Sequence, residues 1–531
     1  MIYDILVIGN GGAGLSAAIE LKKKGFNVAI ISKTNATSSQ TVQAQGGING
    51  VLNNSINDSV SNHIKDTYIS SHNLGDMEAI KMVCNNANDT IKWLDNLGVA
   101  FNRDKEDNLA QRKMAGSSHP RTCYCSDYTG LKIIHTLYDT ALQLGIIFLD
   151  EHILLNLIKE DNQIKGITAL RLLDSKVIQF LAYKVIIATG GYAGVYFNHN
   201  TNSSGTTSDG IVAAYKSGAI LKNMEFIQFH PTALKDKYVL ISEAARAEGG
   251  KLVLKDGTRF TDELLPRDIV AREIFQQIQK GNDVFLDLRE LGYSKIKTLI
   301  PQEYKLCFDF KGIKIDKELI PIIPAAHYSM GGIKIDYNGK TNIKNLYAIG
   351  ECSVTGVHGA NRLGGNSLLE IITYGINIAK DITIPKEKIE VKQYTQYIKD
   401  TKYIETLFTT TIGDSYFADR EDLGKLVYDK VGLYRDEKNL LDAQHTIKLY
   451  ANKQYKLNNK SKIYNIELKE LLEFNNMIIT VDLIIQSALY RQESRGSHTR
   501  LDFPNENDKL AYGTLLYKNN NKLTVGYENE Y

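Results

Sequence analysis

Residues 356–370, reading GVHGANRLGGNSLLE, put a histidine, an asparagine and Arg362 on a glycine-rich turn that runs into an apolar, helix-like segment. Glycines let a backbone approach a ligand closely, and a helix start offers free N–H groups to an anion or to polar ring edges. Arg362 adds a planar, permanently charged fork that matches a carboxylate. Just upstream, residues 345–351 (NLYAIGE) read as a short buried strand ending on a glycine and Glu351. A strand, a turn carrying a carboxylate and a helix start suit the sugar-like chain and pyrimidine edge of a flavin. The plainer reading is a tight turn whose arginine pairs with a surface acid.

Four further clusters carry reactive types. His230 lies in FHPT, and ISEAARAEGG carries Ser242, Glu243, Arg246 and Glu248. PRDIVAREI sets Arg267 at a helix start behind a proline, and AAHYSMGGI supplies His327. Singly, each has a structural reading: a satisfied core histidine, an arginine paired with Asp268 or Glu273, a serine serving as helix cap. With Arg362, His230, His327, Arg267 and Ser242 make two histidines, two arginines and a hydroxyl at expected junctions between a nucleotide-binding sheet and a lid. That set suits a small ligand with two carboxylates.

The elements that must position these residues begin at once. Residues 2–8 are an apolar strand, Gly9, Gly11 and Gly14 form GxGxxG, residues 15–24 have amphipathic helical spacing, and residues 28–32 form a second strand. In such a βαβ unit the glycines permit the tight turn, the approach of a pyrophosphate and close helix packing. The second strand ends in Ser32-Lys33, where an acid for the adenosine ribose usually stands; Ser32 can still bond a ribose. Residues 37–50 (TSSQTVQAQGGING) form a polar glycine-bearing loop, residues 76–95 are helix-like, VIIATGG at 185–191 is another buried strand, and Asp209-Gly210 opens a helix-like stretch. The expected organisation is α/β: a nucleotide-binding domain from 1–230 and 325–385, an inserted mixed domain over the ligand at 231–324, a helical domain at 386–490, and a short polar C-terminal segment at 491–531.

A chain of 531 residues is too long for one core. The net charge of +2, without a basic aromatic-laced stripe, argues against nucleic acid as a partner. Cys84, Cys123, Cys125, Cys307 and Cys352 form no CxxC pair, which argues against an iron–sulfur cluster or structural zinc held by this chain. Cys123 and Cys125 read as two inert thiols on one strand face. No run is apolar enough to span a membrane and no export signal is visible, so the expected location is cytoplasmic, or peripheral on the cytoplasmic face of the inner membrane.

The motifs GNGGAG, QTVQAQGGI, RTCYCSDYTG, QFHPTAL, SEAARAEGG, PRDIVAREI, AAHYSMGGI, LYAIGE, HGANRLGGNSLLE and QESRGSHTRLDFP run in order from Gly9 to Pro504. In them the chain resembles the succinate dehydrogenase/fumarate reductase flavoprotein family, to which L-aspartate oxidase is closely related. The resemblance implies a Rossmann-like FAD-binding domain with an inserted α+β capping domain, a helical domain and a small C-terminal piece. It implies that His230, Ser242, His327 and Arg362 hold the dicarboxylate, that Arg267 transfers the proton, and that Glu243 and Arg246 relay protons to it. FAD contacts would fall on Gly9, Gly11, Gly12, Ala13, Gly14, Ser32, Lys33, Ser39, Gln40, Thr41, Gln45, Gly46, Gly47, Asp209, Glu351, Ser367 and Leu368. The implied reaction interconverts fumarate and succinate by hydride transfer at FAD N5. An iron–sulfur subunit with a quinone-linked membrane anchor is the family's electron partner; free flavin, a soluble carrier or oxygen would serve a stand-alone enzyme.

Departures from the pattern discriminate among relatives. Respiratory members carry, in a serine–histidine–threonine loop, the histidine that bonds covalently to flavin; Gln40 stands there, so FAD is expected to be non-covalent and the favoured direction fumarate reduction. L-aspartate oxidase also holds FAD non-covalently, and PRDIVAREI and PIIPAAHY read close to it. Aspartate oxidases place a glutamate for the substrate ammonium within the stretch that here reads QRKMAGSS, and this chain has Met114. An ammonium without a counter-charge is costly in a partly buried pocket, which favours the dicarboxylate reductase. Ser242 replaces the usual threonine and keeps its hydroxyl, and the C-terminal tail is shorter than in most respiratory members.

Overall fold

The computed structural model describes residues 2–530, apart from 54, 56, 386–387 and 520–521. The expected boundary at 385/386 abuts residues outside that description.

The strand Ile2–Ile8 is buried on both faces from Ile5 onward, as its aliphatic run there requires. It pairs in parallel with Val28–Ile31 on one side and Lys176–Ile187 on the other, and Ile147–Leu149 extends the sheet beyond Val28–Ile31. Lys176–Ile187 serves two partners along its length. Its first half is antiparallel to Gln163–Arg171, itself paired with His152–Glu160, and its second half is parallel to Leu346–Ala348. Alternate residues feed opposite cores. Ile5 and Val7 pack with the helices Gly12–Lys23, Thr129–Gln143 and Asn366–Ile378, while Leu6 and Ile8 face the core shared with the C-terminal helices.

The carboxyl ends of four parallel strands, at Ile8, Ile31, Ile187 and Ala348, therefore open on one edge. In open parallel sheets that edge is where ligands bind.

Residues between the third and fourth of these strands build a second antiparallel sheet in the order Ile227–Leu234, Ile320–Ser329, Val284–Asp287, Lys251–Leu254. It packs its own core with the helices Arg267–Gln279, Gly292–Leu299 and Pro301–Lys311. The sheet reaches past both ends of the 231–324 span, so its two longest strands bring His230 and His327 back toward the nucleotide sheet.

The helix-like run at 76–95 is two helices, Met77–Asn85 and Ala87–Asn96, the first capped by Asp76. The helices Thr395–Thr409, Tyr416–Lys430, Glu437–Asn452 and Ile466–Tyr490 follow. The C-terminal segment is more than a polar tail. Its hairpin, Thr514–Asn519 and Lys522–Tyr527, joins Leu221–Lys222 in a further sheet. Arg491, Arg495 and Arg500 are buried there, because Glu225, Glu493 and Asp502 neutralise them. Among the described residues no helix is long and apolar enough to cross a membrane, and no group of three or more His, Cys, Asp or Glu could hold a metal ion.

Candidate active site

One cavity of about 390 Å³ runs along the carboxyl edge of the main sheet and ends under the inserted sheet. Every expected cofactor or substrate residue lines it except Gly14 and Arg246.

At the nucleotide end, Gly9 has φ +109° and a Cβ there would lie 2.2 Å from the Ala188 carbonyl oxygen, so only glycine fits. Gly14 serves packing: its Cβ would meet the Gly9 carbonyl oxygen at 2.0 Å. Gly11, Gly12 and Ala13 line the cavity, and the Gly12 N–H donates to Thr41 Oγ1 at 3.1 Å. Lys33 is held by Asp209 at 2.6 Å and by Glu473 at 2.8 Å. Burial would favour the neutral amine, but the two carboxylates outweigh it and hold Lys33 charged. Glu473, from the helix Ile466–Tyr490, is a site residue that no local pattern marks, since its helix neighbours Lys469, Glu470 and Asn476 are polar too.

Nearer the middle, Gln40 accepts the Ser203 N–H at 2.7 Å, and Ser39, Thr41, Gln45, Gly46 and Gly47 line the wall beside it. Ser39 Oγ, Gln45 Oε1 and Thr189 Oγ1 are buried on this wall with no hydrogen-bond partner among the described residues. Buried polar atoms are rarely left unpaired, so a bound group with its own donors and acceptors fits this wall. Glu351 accepts the N–H and hydroxyl of Ser329 at 2.9 and 3.0 Å, and burial pushes its carboxyl up to about 7. Ser367 and Leu368 complete the lining from the start of the helix Asn366–Ile378.

The far end is cationic. His230 and His327 sit on adjacent antiparallel strands with ring centroids 5.0 Å apart. Burial, reinforced by Arg267, holds both imidazoles well below their usual pKa, so they are neutral near pH 7. Thr201 Oγ1 meets His327 Nδ1 at 2.7 Å and the Thr232 carbonyl meets His230 Nδ1 at 3.1 Å, fixing both rings. Ser242 caps the helix Glu243–Ala247 by accepting the Ala244 N–H at 3.1 Å. Its own O–H stays free to donate, so the capping and ligand-binding readings coexist.

Arg267 pairs with Glu243, at 2.5 Å, rather than with Asp268 or Glu273. The other Glu243 oxygen accepts the Ala115 N–H at 2.7 Å. Burial opposes the charge on Glu243, but Arg267 and Arg246 outweigh it and hold the carboxyl below its usual range. Arg246 stands behind Glu243, 4.0 Å from the carboxylate oxygen. Burial, together with its cationic neighbour Arg267, lowers Arg246 and Arg362 alike to about 10.

Gln228, within QFHPTAL, is a site residue that its motif alone does not single out. Its Oε1 accepts from Arg267 Nη1 at 3.2 Å and Arg362 Nη2 at 3.1 Å. Its Nε2 donates to Asn361 Oδ1 and the Arg362 carbonyl, both at 2.8 Å. One amide thus sets both guanidinium groups. Met114 is buried against Gly46, and the five cysteines are buried and free; burial pushes Cys123 and Cys125 up to about 12, which fits inert thiols.

A glycine-turned parallel sheet carrying a long polar cavity, closed by an inserted sheet with cationic groups, defines an FAD-dependent oxidoreductase. Comparison agrees. An FAD-binding domain family matches residues 4–368 and a fumarate reductase flavoprotein C-terminal family matches residues 420–530. The succinate dehydrogenase flavoprotein subunit of Rickettsia bellii is 36% identical, over 96% of this chain and 91% of its own length. The L-aspartate oxidase of Pseudomonas aeruginosa is 34% identical, over 94% and 96%. A solved quinol–fumarate reductase with menaquinol superposes with a TM-score of 0.92 at 30% identity, covering 99% of this chain and 98% of that one. The chain belongs to the succinate dehydrogenase/fumarate reductase flavoprotein family, and FAD is its cofactor.

Proposed function

We propose that this protein reduces fumarate to succinate with non-covalently held FAD. The observation that carries the reading is the ion-paired Arg267–Glu243, set by Gln228 beside Arg362 in the same cavity as the glycine turn. Arg362 and the neutral donors His230, His327 and Ser242 would bind the two carboxylates of the substrate. Bound FAD supplies the hydride. Charge then develops toward one carboxylate, and Arg362 with the histidines stabilises it. Arg267 delivers a proton to the other alkene carbon. An arginine is a weak acid in water, so its proton transfer needs a partner in direct contact to resupply it, and the Glu243 carboxylate stands 2.5 Å away. Glu243, bonded directly to Arg267, returns the proton, with Arg246 behind it as the next member of the relay.

Gln40 supports non-covalent attachment, since an amide cannot form the bond a histidine forms in respiratory relatives. The missing bond supports the reductive direction. The Rickettsia bellii and Haemophilus influenzae relatives are flavoprotein subunits, which supports an iron–sulfur subunit with a quinone-linked anchor as electron source and a peripheral place at the membrane. L-aspartate oxidation is the second reading, favoured by the Pseudomonas relative. The uncharged Met114 speaks against it, because an ammonium held there would lack a counter-charge.

The test is Arg267→Gln in FAD-loaded protein, assayed with a reduced dye. Fumarate turnover should fall by at least about 10³-fold while FAD stays bound. Unchanged turnover would remove Arg267 from the reaction, and with it this reading.

A further inference from the structure

Behind the two arginines lies a titratable junction of three distant segments. The helix Val60–Ser70 ends in a turn where His72 and Asn73 have φ of +53° and +59°, a left-handed conformation that costs energy for side-chain-bearing residues. The turn is pinned against the substrate-side loop: the Ala360 N–H donates to the Ser71 carbonyl at 3.0 Å, two residues before Arg362. It aims the His72 ring between two carboxylates. Nε2 lies 3.5 Å from Asp268 Oδ2 and Nδ1 lies 2.7 Å from Glu506 Oε1.

Asp268 follows Arg267 in the first turn of the helix Arg267–Gln279, and its Oδ1 accepts Asn361 Nδ2 at 3.0 Å. Asn361 in turn accepts from Gln228, which holds Arg267 and Arg362. The other charged groups here are Arg272, which donates to Asp268 at 2.8 Å, and Arg495, which donates to the His72 carbonyl at 2.8 Å and lies 3.4 Å from Glu506.

Ionised carboxylates only accept hydrogen bonds, and a neutral imidazole donates from one nitrogen alone. With both ring nitrogens facing carboxylate oxygens, only the imidazolium satisfies the junction. Loss of its proton turns one contact into a meeting of lone pairs. We propose that His72 is a positioning residue: as an imidazolium it clamps Asp268 of the capping helix to Glu506 of the C-terminal segment, keeping Arg267 and Arg362 in register, and its deprotonation releases that clamp.

The sign follows from linkage. Burial alone would lower the His72 pKa, but Asp268 and Glu506 outweigh it and the net shift is upward. The clamp is therefore fully present below the ordinary histidine value near 6.5 and is lost as pH rises through the elevated one. The kinetic half of the test rests on the fumarate reading; the structural half does not.

Hydrogen exchange of residues 267–279 would be followed from pH 6 to 9 in FAD-loaded wild type, His72→Gln and Glu506→Gln, corrected for intrinsic exchange, alongside KM for fumarate. Wild type should lose protection in one step, roughly tenfold per pKa unit of elevation, with KM rising over the same range. His72→Gln should show no step, and Glu506→Gln should move it to lower pH. A wild type without a step, or the same step in His72→Gln, overturns the clamp, as does a Glu506→Gln step that does not move. An exchange step with a flat KM overturns the positioning role. Absence of fumarate turnover at every pH counts against the reaction instead, and exchange alone then decides the clamp.

Discussion

Replacing Gln228 by leucine removes the amide that both active-site guanidinium groups share, at nearly constant volume. Two charge-assisted hydrogen bonds from Arg267 and Arg362 disappear, with two neutral ones to Asn361 and the Arg362 carbonyl. Bonds to charged groups contribute about 1.5–3 kcal/mol each, and neutral ones about 1 kcal/mol. Some of this is recovered when the guanidinium groups turn toward Glu243 or the ligand, so a net stability loss of about 3–4 kcal/mol is expected. Misplacing both arginines together should cost at least as much in the transition state, or roughly 10²-fold in kcat/KM. Gln228→Glu keeps the acceptors but adds a negative charge where a dianion must bind, so it should fold better than the leucine variant and raise KM for fumarate strongly. Chemical denaturation would supply the stability and dye-linked assays the kinetics, each on FAD-loaded protein. A leucine variant with kcat/KM within about threefold of wild type would refute the claim that this amide sets the two arginines.

Other perturbations test separate parts of the account. Gly9→Ala should prevent stable folding or cost more than about 2 kcal/mol, because of the clash with Ala188, whereas Gly11→Ala meets Thr41 Oγ1 at an ordinary 3.4 Å and should fold normally but bind FAD at least about tenfold more weakly; thermal melts with and without FAD separate the two. Acid precipitation should release all flavin into the supernatant, since Gln40 offers no covalent bond, and protein-bound fluorescence in a denaturing gel would contradict this. His230 and His327 are held neutral by burial and by Arg267, so below pH 6.5 the unfolded chain takes up protons that the folded one refuses, and stability should fall with acidification. His327→Asn should make that decline between pH 7 and 5 shallower, as read by melting temperature.

The parts of the molecule legible in its sequence are those whose signal is local. GNGGAG between two apolar strands forces the βαβ unit, because glycine alone tolerates the Gly9 conformation and the contact at Gly14. The helices Tyr416–Lys430 and Ile466–Tyr490 announce themselves by periodicity. The strands His152–Glu160 and Gln163–Arg171 do not, since their alternation is broken by lysines and by register shifts within the pair. One feature of the C-terminal segment is also hidden: a polar stretch such as QESRGSHTR reads as solvated until Glu225 and Glu493 are seen to neutralise the buried arginines around it. At the site, residue types pointed to a dicarboxylate, and motif resemblance assigned roles to individual residues. The roles of Gln228, Glu473 and His72 depend on partners far away in sequence, so no local pattern could single them out.

The central claim is tested most directly by assaying one FAD-loaded preparation in parallel for fumarate reduction with a reduced dye and for L-aspartate oxidation with peroxide release. Rapid fumarate turnover without an aspartate signal is the predicted result. Aspartate oxidation without fumarate turnover would contradict it, and would mean that a group other than the residue at 114 holds the ammonium.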